Sequence, residues 1–126
     1  MTHFMAYELS LQLVRELGPI AAKIARHDRD LARQLRRAAS SIALNPAEGS
    51  HSDAGNRRAR FHTAAGSAKE TKAALEVADA WRYVDAEEAL ALADRVVAIT
   101  YKLAGGPLLP RGAQEQAREV SNEGHR

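Results

Sequence analysis

The sequence predicts an all-α fold, an antiparallel up-down-up-down four-helix bundle over residues 1–106. In four segments of similar length, apolar residues recur at steps of three and four, the spacing of one helix face. Alanine dominates the 45% of apolar residues and aromatic residues reach only 5%, so the side chains that favour strands are scarce. Short polar connections between the segments favour neighbouring helices that run in opposite directions. A chain of 126 residues is expected to form one core.

The first helix is predicted over residues 7–26, and Pro19 is expected to kink or break it because proline removes a backbone donor. The second helix begins near Asp28 and Asp30, which are both good N-cap residues. Asn45 precedes Pro46 and therefore marks a kink or the last turn. The apolar faces of these two helices comprise Leu9, Leu13, Leu17, Ile20 and Ile24, then Leu31, Leu35, Ala38, Ala39 and Ile42.

The third helix is predicted over residues 56–83, with Trp81 as a further candidate for its buried face. Asp85 and Glu88 are spaced like a capping box and predict the start of the fourth helix. Gly105 and the Gly-Pro pair that follows it end that helix, and residues 107–126 are predicted to be a flexible C-terminal tail. The apolar faces comprise Phe61, Ala65, Ala68, Leu75 and Ala78, then Leu90, Ala93, Val97, Tyr101 and Ala104.

Composition and motifs argue against an enzyme. The chain has no cysteine, which excludes disulfides, thiolate nucleophiles and cysteine-ligated zinc. It contains no Gly-rich phosphate loop, His-Glu-x-x-His helix or nucleophile elbow, so we expect no catalytic residues and no cofactor. No stretch of about 18 apolar residues occurs, and the first residues do not resemble a secretory leader. The expected location is the cytoplasm, without a membrane partner.

One metal-binding pattern is present in part. Glu48 and His51 have the Glu-x-x-His spacing that supplies ligands to di-iron bundles. Such a site needs two of these pairs and two further glutamates, whereas the chain has one pair, with a glycine directly after Glu48. We therefore predict no metal site.

A polar stripe runs along the second helix beside its apolar face. Arg37, Ser41, Asn45 and Glu48 follow one another at steps of four, four and three. If this stripe is buried against another helix or subunit, Arg37 needs a carboxylate, and Glu48 or Glu70 is the nearest supplier. The alternative is a solvated helix face.

Basic residues are concentrated in the first half of the chain, where residues 23–60 hold nine Lys or Arg against four acids. Guanidinium groups pair well with phosphate, so these arginines are candidates for nucleic-acid contacts. The alternative is an ordinary charged bundle surface, because no aromatic residues interleave with the arginines to stack bases. The predicted phosphate-binding residues are Arg33, Arg36, Arg57, Arg58 and Arg60.

The run LARQLRRAASSI at 31–42, followed by NPAEG at 45–49, resembles the signature of the bacterial four-helix-bundle family of 23S rRNA intervening-sequence proteins. The resemblance continues through Arg60, Phe61, the AGSA run at 65–68 and Glu70, and covers roughly residues 7–104. A related branch is the accessory variability determinant of diversity-generating retroelements, a basic pentamer that binds reverse transcriptase and nucleic acid.

The resemblance implies a homopentamer with a central channel that acts as a nucleic-acid-associated accessory factor, with RNA or DNA as a partner. An alternative function is a protein-binding scaffold for a partner encoded nearby, without nucleic-acid binding. The resemblance also implies a polar network that sets the second helix against the third helix or against a neighbouring protomer. Its predicted members are Arg37, Ser41, Asn45, Glu48, Ser67 and Glu70.

Overall fold

The computed structural model of the chain describes the backbone of residues 3–49 and 54–105, and the side chains of these residues except 48 and 49. Four helices account for most of this part of the chain, and it contains no strand. The all-α four-helix prediction is therefore confirmed. The predicted tail at 107–126 lies outside the described residues. The helices are α1 (His3–Ala25), α2 (Arg29–Gly49), α3 (Ala54–Ala80) and α4 (Glu87–Leu103).

Each helix packs against the next one along the chain, and α1 also packs against α4, which closes the bundle. Contacts across the α2/α3 pair join Ser41 to Ser67 and Asn45 to Arg60, so residue numbers rise along one helix while they fall along the other. The α3/α4 pair follows the same rule, since Lys72 contacts Asp94 and Asp79 contacts Ala86. Only residues 26–28 separate α1 from α2, so these two helices also run in opposite directions.

The start of α2 confirms one predicted cap. Asp28 precedes the helix, and its Oδ1 accepts a 2.9 Å hydrogen bond from the N–H of Leu31. Its carbonyl accepts the N–H of Ala32 at 3.2 Å, the first bond of the helical ladder. This arrangement satisfies one of the backbone donors that the first turn of a helix leaves open.

Both internal prolines lie within continuous helices. α1 runs from His3 to Ala25 without a break, although Pro19 is inside it. Pro19 has no N–H to donate to the carbonyl of Arg15, and both residues are exposed, so the interruption lies on the solvent side of the helix. α2 continues through Pro46 to Gly49, so the proline falls in its last turn.

The predicted capping box at the start of α4 is wrong. The N-cap residue is Ala86, which has no side-chain cap. Asp85 lies one residue too early, and its Oδ1 instead accepts the N–H of Glu87 at 3.1 Å. The N–H of Ala86 donates to Oδ2 of Asp79, near the end of α3, at 2.9 Å. The start of α4 is thus held by a carboxylate seven residues earlier in the chain, and not by the predicted local cap.

α3 ends at Ala80, earlier than the predicted residue 83, in a Schellman turn. The N–H of Tyr83 donates to the carbonyl of Ala78 at 3.0 Å, and the N–H of Arg82 donates to the backbone carbonyl of Asp79 at 2.8 Å. Trp81 therefore lies beyond the helix and is 67% exposed, so its predicted place on the buried face is wrong. The buried stripe of α3 ends at Ala78.

The core consists of two clusters. The main one joins all four helices, and its largest fully buried aliphatic residues are Leu13, Ile24, Leu35, Ile42, Leu75 and Val96. A smaller cluster joins α1, α3 and the end of α4, and consists of Ala6, Phe61, Ile99 and Ala104. Many of the remaining buried positions are alanines, which allow helix backbones to approach closely. No helix in the described part of the chain is long and apolar enough to cross a membrane.

Candidate functional site

A polar cleft lies between α2 and α3, on the outside of the bundle. Its volume is about 320 Å³, and we call it the serine cleft. Because α2 and α3 run in opposite directions, residues of the predicted polar stripe on α2 meet residues from the middle of α3 in this cleft. The lining residues are Gln34, Arg37, Ala38, Ser41, Ser67 and Glu70.

A short chain of hydrogen bonds crosses from α3 to α2 at this cleft. Oγ of Ser67 donates to Oγ of Ser41 at 2.8 Å. Nδ2 of Asn45 donates to the same Ser41 oxygen at 3.1 Å and to the Ser41 carbonyl at 2.8 Å. Nη1 of Arg60 reaches Oδ1 of Asn45 at 3.5 Å, the long limit of a hydrogen bond. The structure thus brings together Ser41, Asn45 and Ser67 of the predicted network.

Arg37 and Glu70 line the serine cleft with opposite charges, and both side chains are exposed. Among the described side chains, they form no ion pair with each other. The side chain of Glu48, the other proposed partner of Arg37, lies outside the described residues. Both described charges lie on the outside of the bundle.

A second, more open cleft adjoins the first on α2 and reaches the first turns of α3. It has a volume of about 540 Å³, and we call it the arginine cleft. Three guanidinium groups border it, and among the described side chains no aspartate or glutamate lines it. Serine and asparagine side chains add neutral hydrogen-bonding groups. The lining residues are Arg36, Arg37, Ser40, Ser41, Leu44, Asn45 and Arg60.

The remaining predicted phosphate-binding arginines lie apart from this cleft. Arg33 is exposed on α2, one turn before Arg37. Arg57 is half-buried. Arg58 lies against the end of α4, where a Cβ added to Gly105 would be 3.3 Å from Nε of Arg58. A cation near a helix C-terminus interacts favourably with the carbonyls exposed there, which gives Arg58 a structural role.

The partial metal motif cannot be placed on this site, since the Glu48 side chain and His51 lie outside the described residues. Within residues 3–49 and 54–105, apart from the side chains of 48 and 49, no three His, Asp or Glu side chains form a group that would hold a metal ion.

Three rings stack at the end of the bundle that carries the 26–28 and 81–86 connections. The His27 and Tyr83 rings are 4.7 Å apart between centroids and inclined by 2°. Trp81 and Tyr83 follow at 6.2 Å and 13°. Sequence analysis missed this group because His27 is distant from the other two residues in the chain. The group could have been predicted from the antiparallel order of the helices, because the two connections that carry these rings lie at the same end of the bundle.

Comparison with known proteins gives one match. A family model described as 23S rRNA-intervening sequence protein matches residues 2–105, which include both clefts and the stacked rings. No curated protein and no solved structure matches the chain.

Proposed function

The chain belongs to the 23S rRNA-intervening sequence protein family, and from this premise we propose that it is a non-enzymatic, self-associating accessory protein that contacts nucleic acid through the arginine cleft. The single observation that carries the proposal is that three guanidinium groups meet in a cleft to which no described side chain contributes a carboxylate.

The chemistry of the arginine cleft suits phosphate. A guanidinium group presents a planar fork of N–H donors that matches two phosphate oxygens, and it stays charged at every relevant pH. Arg36 and Arg37 approach from α2 and Arg60 from α3, so a strand lying along the cleft would meet donors from both sides. Ser40 and Asn45 add weaker polar contacts. Arg33 continues the row of positive charge along α2.

The serine cleft supports self-association. Arg37 and Glu70 offer opposite charges to a second copy of the chain, whose own Glu70 and Arg37 can complement them. Around them the surface is formed by small side chains, including Gly66, beside which a Cβ would meet no atom within 4 Å. Small residues permit the close approach of another helix. The proposed ring of five derives from the resemblance to the retroelement accessory proteins.

Fluorescence anisotropy with structured RNA and duplex DNA, measured at several salt concentrations, tests the nucleic-acid contact. The key variant is Arg36→Ala/Arg60→Ala, which leaves Arg37 of the serine cleft in place. Its matched control is Lys23→Ala/Lys102→Ala, which removes the same charge from exposed positions on α1 and α4. We expect the wild-type affinity to fall steeply with salt, because each neutralised phosphate releases counterions. Each such contact adds about −0.7 to −0.9 to the slope of the logarithm of the binding constant against the logarithm of the salt concentration.

The cleft variant should lose most of its affinity, and the control should retain it. Equal losses in both variants would mean that net charge alone attracts the nucleic acid, which contradicts a site at the arginine cleft. A folded wild-type protein that binds nothing at about 50 mM salt would overturn the proposal. If a single protein partner then co-purified with the chain, the scaffold function would take its place.

Sedimentation velocity tests self-association. Gly66→Leu adds a bulky side chain to the exposed surface beside the serine cleft, and Ala98→Leu does the same on the exposed surface of α4. We expect the wild type and the α4 variant to sediment as the same oligomer and Gly66→Leu to dissociate. A monomeric wild type, or an oligomer that tolerates Gly66→Leu, would contradict an interface at this surface.

A further inference from the structure

The stacked rings of His27, Tyr83 and Trp81 end in an open aromatic face. The three planes are nearly parallel, with inclinations of 2° and 13° between successive rings. Trp81 is at the outer end of this stack and is 67% exposed. Covering a large, water-exposed aromatic surface with another flat ring is energetically favourable.

Three arginines lie next to the stacked residues in the chain. Arg26 precedes His27, Arg29 follows it closely, and Arg82 stands between Trp81 and Tyr83 in the chain. All three arginines are exposed. Three of the four aspartates of the same region accept a backbone N–H: Asp28 from Leu31, Asp79 from Ala86 and Asp85 from Glu87. The fourth, Asp30, accepts a hydrogen bond from the side chain of Gln34. Glu87 and Glu88 line a cleft between α1 and α4 with Glu16.

The backbone at Arg82 gives a second, independent observation. Its φ of 64° makes it the one non-glycine residue with positive φ in the described part of the chain. This is the position of a Schellman turn that glycine fills most easily. A strained backbone that keeps a charged side chain is a reason to suspect a function for that side chain. Here the residue with this backbone is the arginine that separates Trp81 from Tyr83 in the chain.

We propose that this end of the bundle binds an unpaired base of a nucleic-acid strand, with the base stacked on Trp81 and the adjacent phosphates paired with Arg26, Arg29 and Arg82. The inference rests on the proposed nucleic-acid association and adds the class of nucleic acid. A duplex hides the faces of its bases, so the site selects single-stranded segments. Stacking is tolerant of sequence because every base has a flat face.

Trp81 is the only tryptophan of the chain, so intrinsic fluorescence reports on this site directly. The probes are a ten-nucleotide adenosine RNA, an abasic ribose-phosphate strand of the same length and charge, and a short RNA duplex. We expect the adenosine strand to quench Trp81 fluorescence and the abasic strand and the duplex to leave it nearly unchanged.

Trp81→Ala should weaken binding of the adenosine strand between about 5-fold and 150-fold, the range for one stacked base. Binding of the abasic strand should not change. Trp81→Phe keeps an aromatic face and is the matched control, with affinity within a few-fold of the wild type. Because Trp81 lies outside the helices and is exposed, these variants should fold like the wild type.

The failures can be told apart. If nucleic acid binds with a steep salt dependence but Trp81 is not quenched and Trp81→Ala binds equally well, the stacking site is wrong and the arginine cleft stands. If no probe binds at all, both proposals fail. If Trp81 fluorescence changes with protein concentration and not with the strand, a second copy of the chain covers the ring, which overturns the stacking site.

Discussion

Ser67 of α3 donates a 2.8 Å hydrogen bond to the hydroxyl of Ser41 on α2, and this contact links the two helices at the serine cleft. Two hydroxyl groups meet only if the helix backbones approach closely, which the small residues of both helices allow. Asn45 donates to the same Ser41 oxygen, so three side chains share one polar junction. The junction is partly buried, and it joins the two helices that form both clefts.

Ser67→Ala should lower the free energy of unfolding by about 1 kcal/mol, the typical net contribution of one hydrogen bond. Ser41→Ala should cost at least as much, because it also removes an acceptor from Asn45. In a double-mutant cycle measured by urea denaturation, the two changes should be coupled. Simple additivity would show that the hydroxyl contact contributes nothing to the stability of the α2/α3 pair.

Arg82→Gly should stabilise the fold by about 0.5–1 kcal/mol, because glycine adopts positive φ without the steric cost that other residues pay. Arg82→Ala is the control, since it removes the same side chain but keeps the Cβ, and it should not stabilise. Thermal and urea unfolding of the two variants measure the difference. Equal stabilities would mean that the turn carries no strain at this residue.

Phe61→Ala should destabilise the protein by about 3–5 kcal/mol, because it empties the centre of the smaller core cluster. Phe61 is 2% exposed, whereas Phe4 of α1 is 68% exposed. Phe4→Ala is therefore the matched control, with an expected effect within about 0.5 kcal/mol. The comparison is made by chemical denaturation. A small effect of Phe61→Ala would show that this end of the bundle does not unfold with the rest.

The Lys72–Asp94 ion pair joins α3 to α4 at 2.7 Å between Nζ and Oδ1, with both side chains partly exposed. The Asp94 carboxylate accepts a hydrogen bond from Lys72 and attracts its charge, which raises the pKa of Lys72. A raised pKa in the folded state means that the stabilisation is fully present below the lysine pKa of the unfolded chain, ~10.4. It is lost as the pH rises through the folded value.

Asp94→Asn should therefore be slightly less stable than the wild type at neutral pH and low salt, and the two should converge at strongly alkaline pH. Added salt should also reduce the difference, because the pair is exposed to solvent. Urea denaturation across a pH series measures this. A difference that persists unchanged above the pKa of lysine would assign the effect of Asp94 to a cause other than its pairing with Lys72.

Part of the candidate site was predictable from the sequence. The four-residue spacing of Arg37, Ser41 and Asn45 placed them on one side of α2, since helical periodicity depends only on positions along the chain. The family resemblance implied a network that contains Ser41 and Ser67, and in the structure a hydrogen bond joins these two residues. The prediction for Trp81 failed because a Schellman turn ends α3 three residues early, and the turn contains no glycine to signal it.

The sequence by itself determined the four helices, the buried faces of α2 and α3 up to Ala78, the Asp28 cap and the family, because periodicity, capping and signature runs are local properties of the chain. The predicted face of α4 is wrong in part, since Leu92, Val96 and Ile99 are buried there and Leu90, Val97 and Tyr101 are only half-buried. Only the tertiary structure decided which polar groups meet. It placed Arg60 beside Arg36 and Arg37, turned Arg58 towards the end of α4, and stacked His27 on Tyr83. These contacts depend on the register and rotation of antiparallel helices, which are set by how the two core clusters pack and which no local pattern encodes.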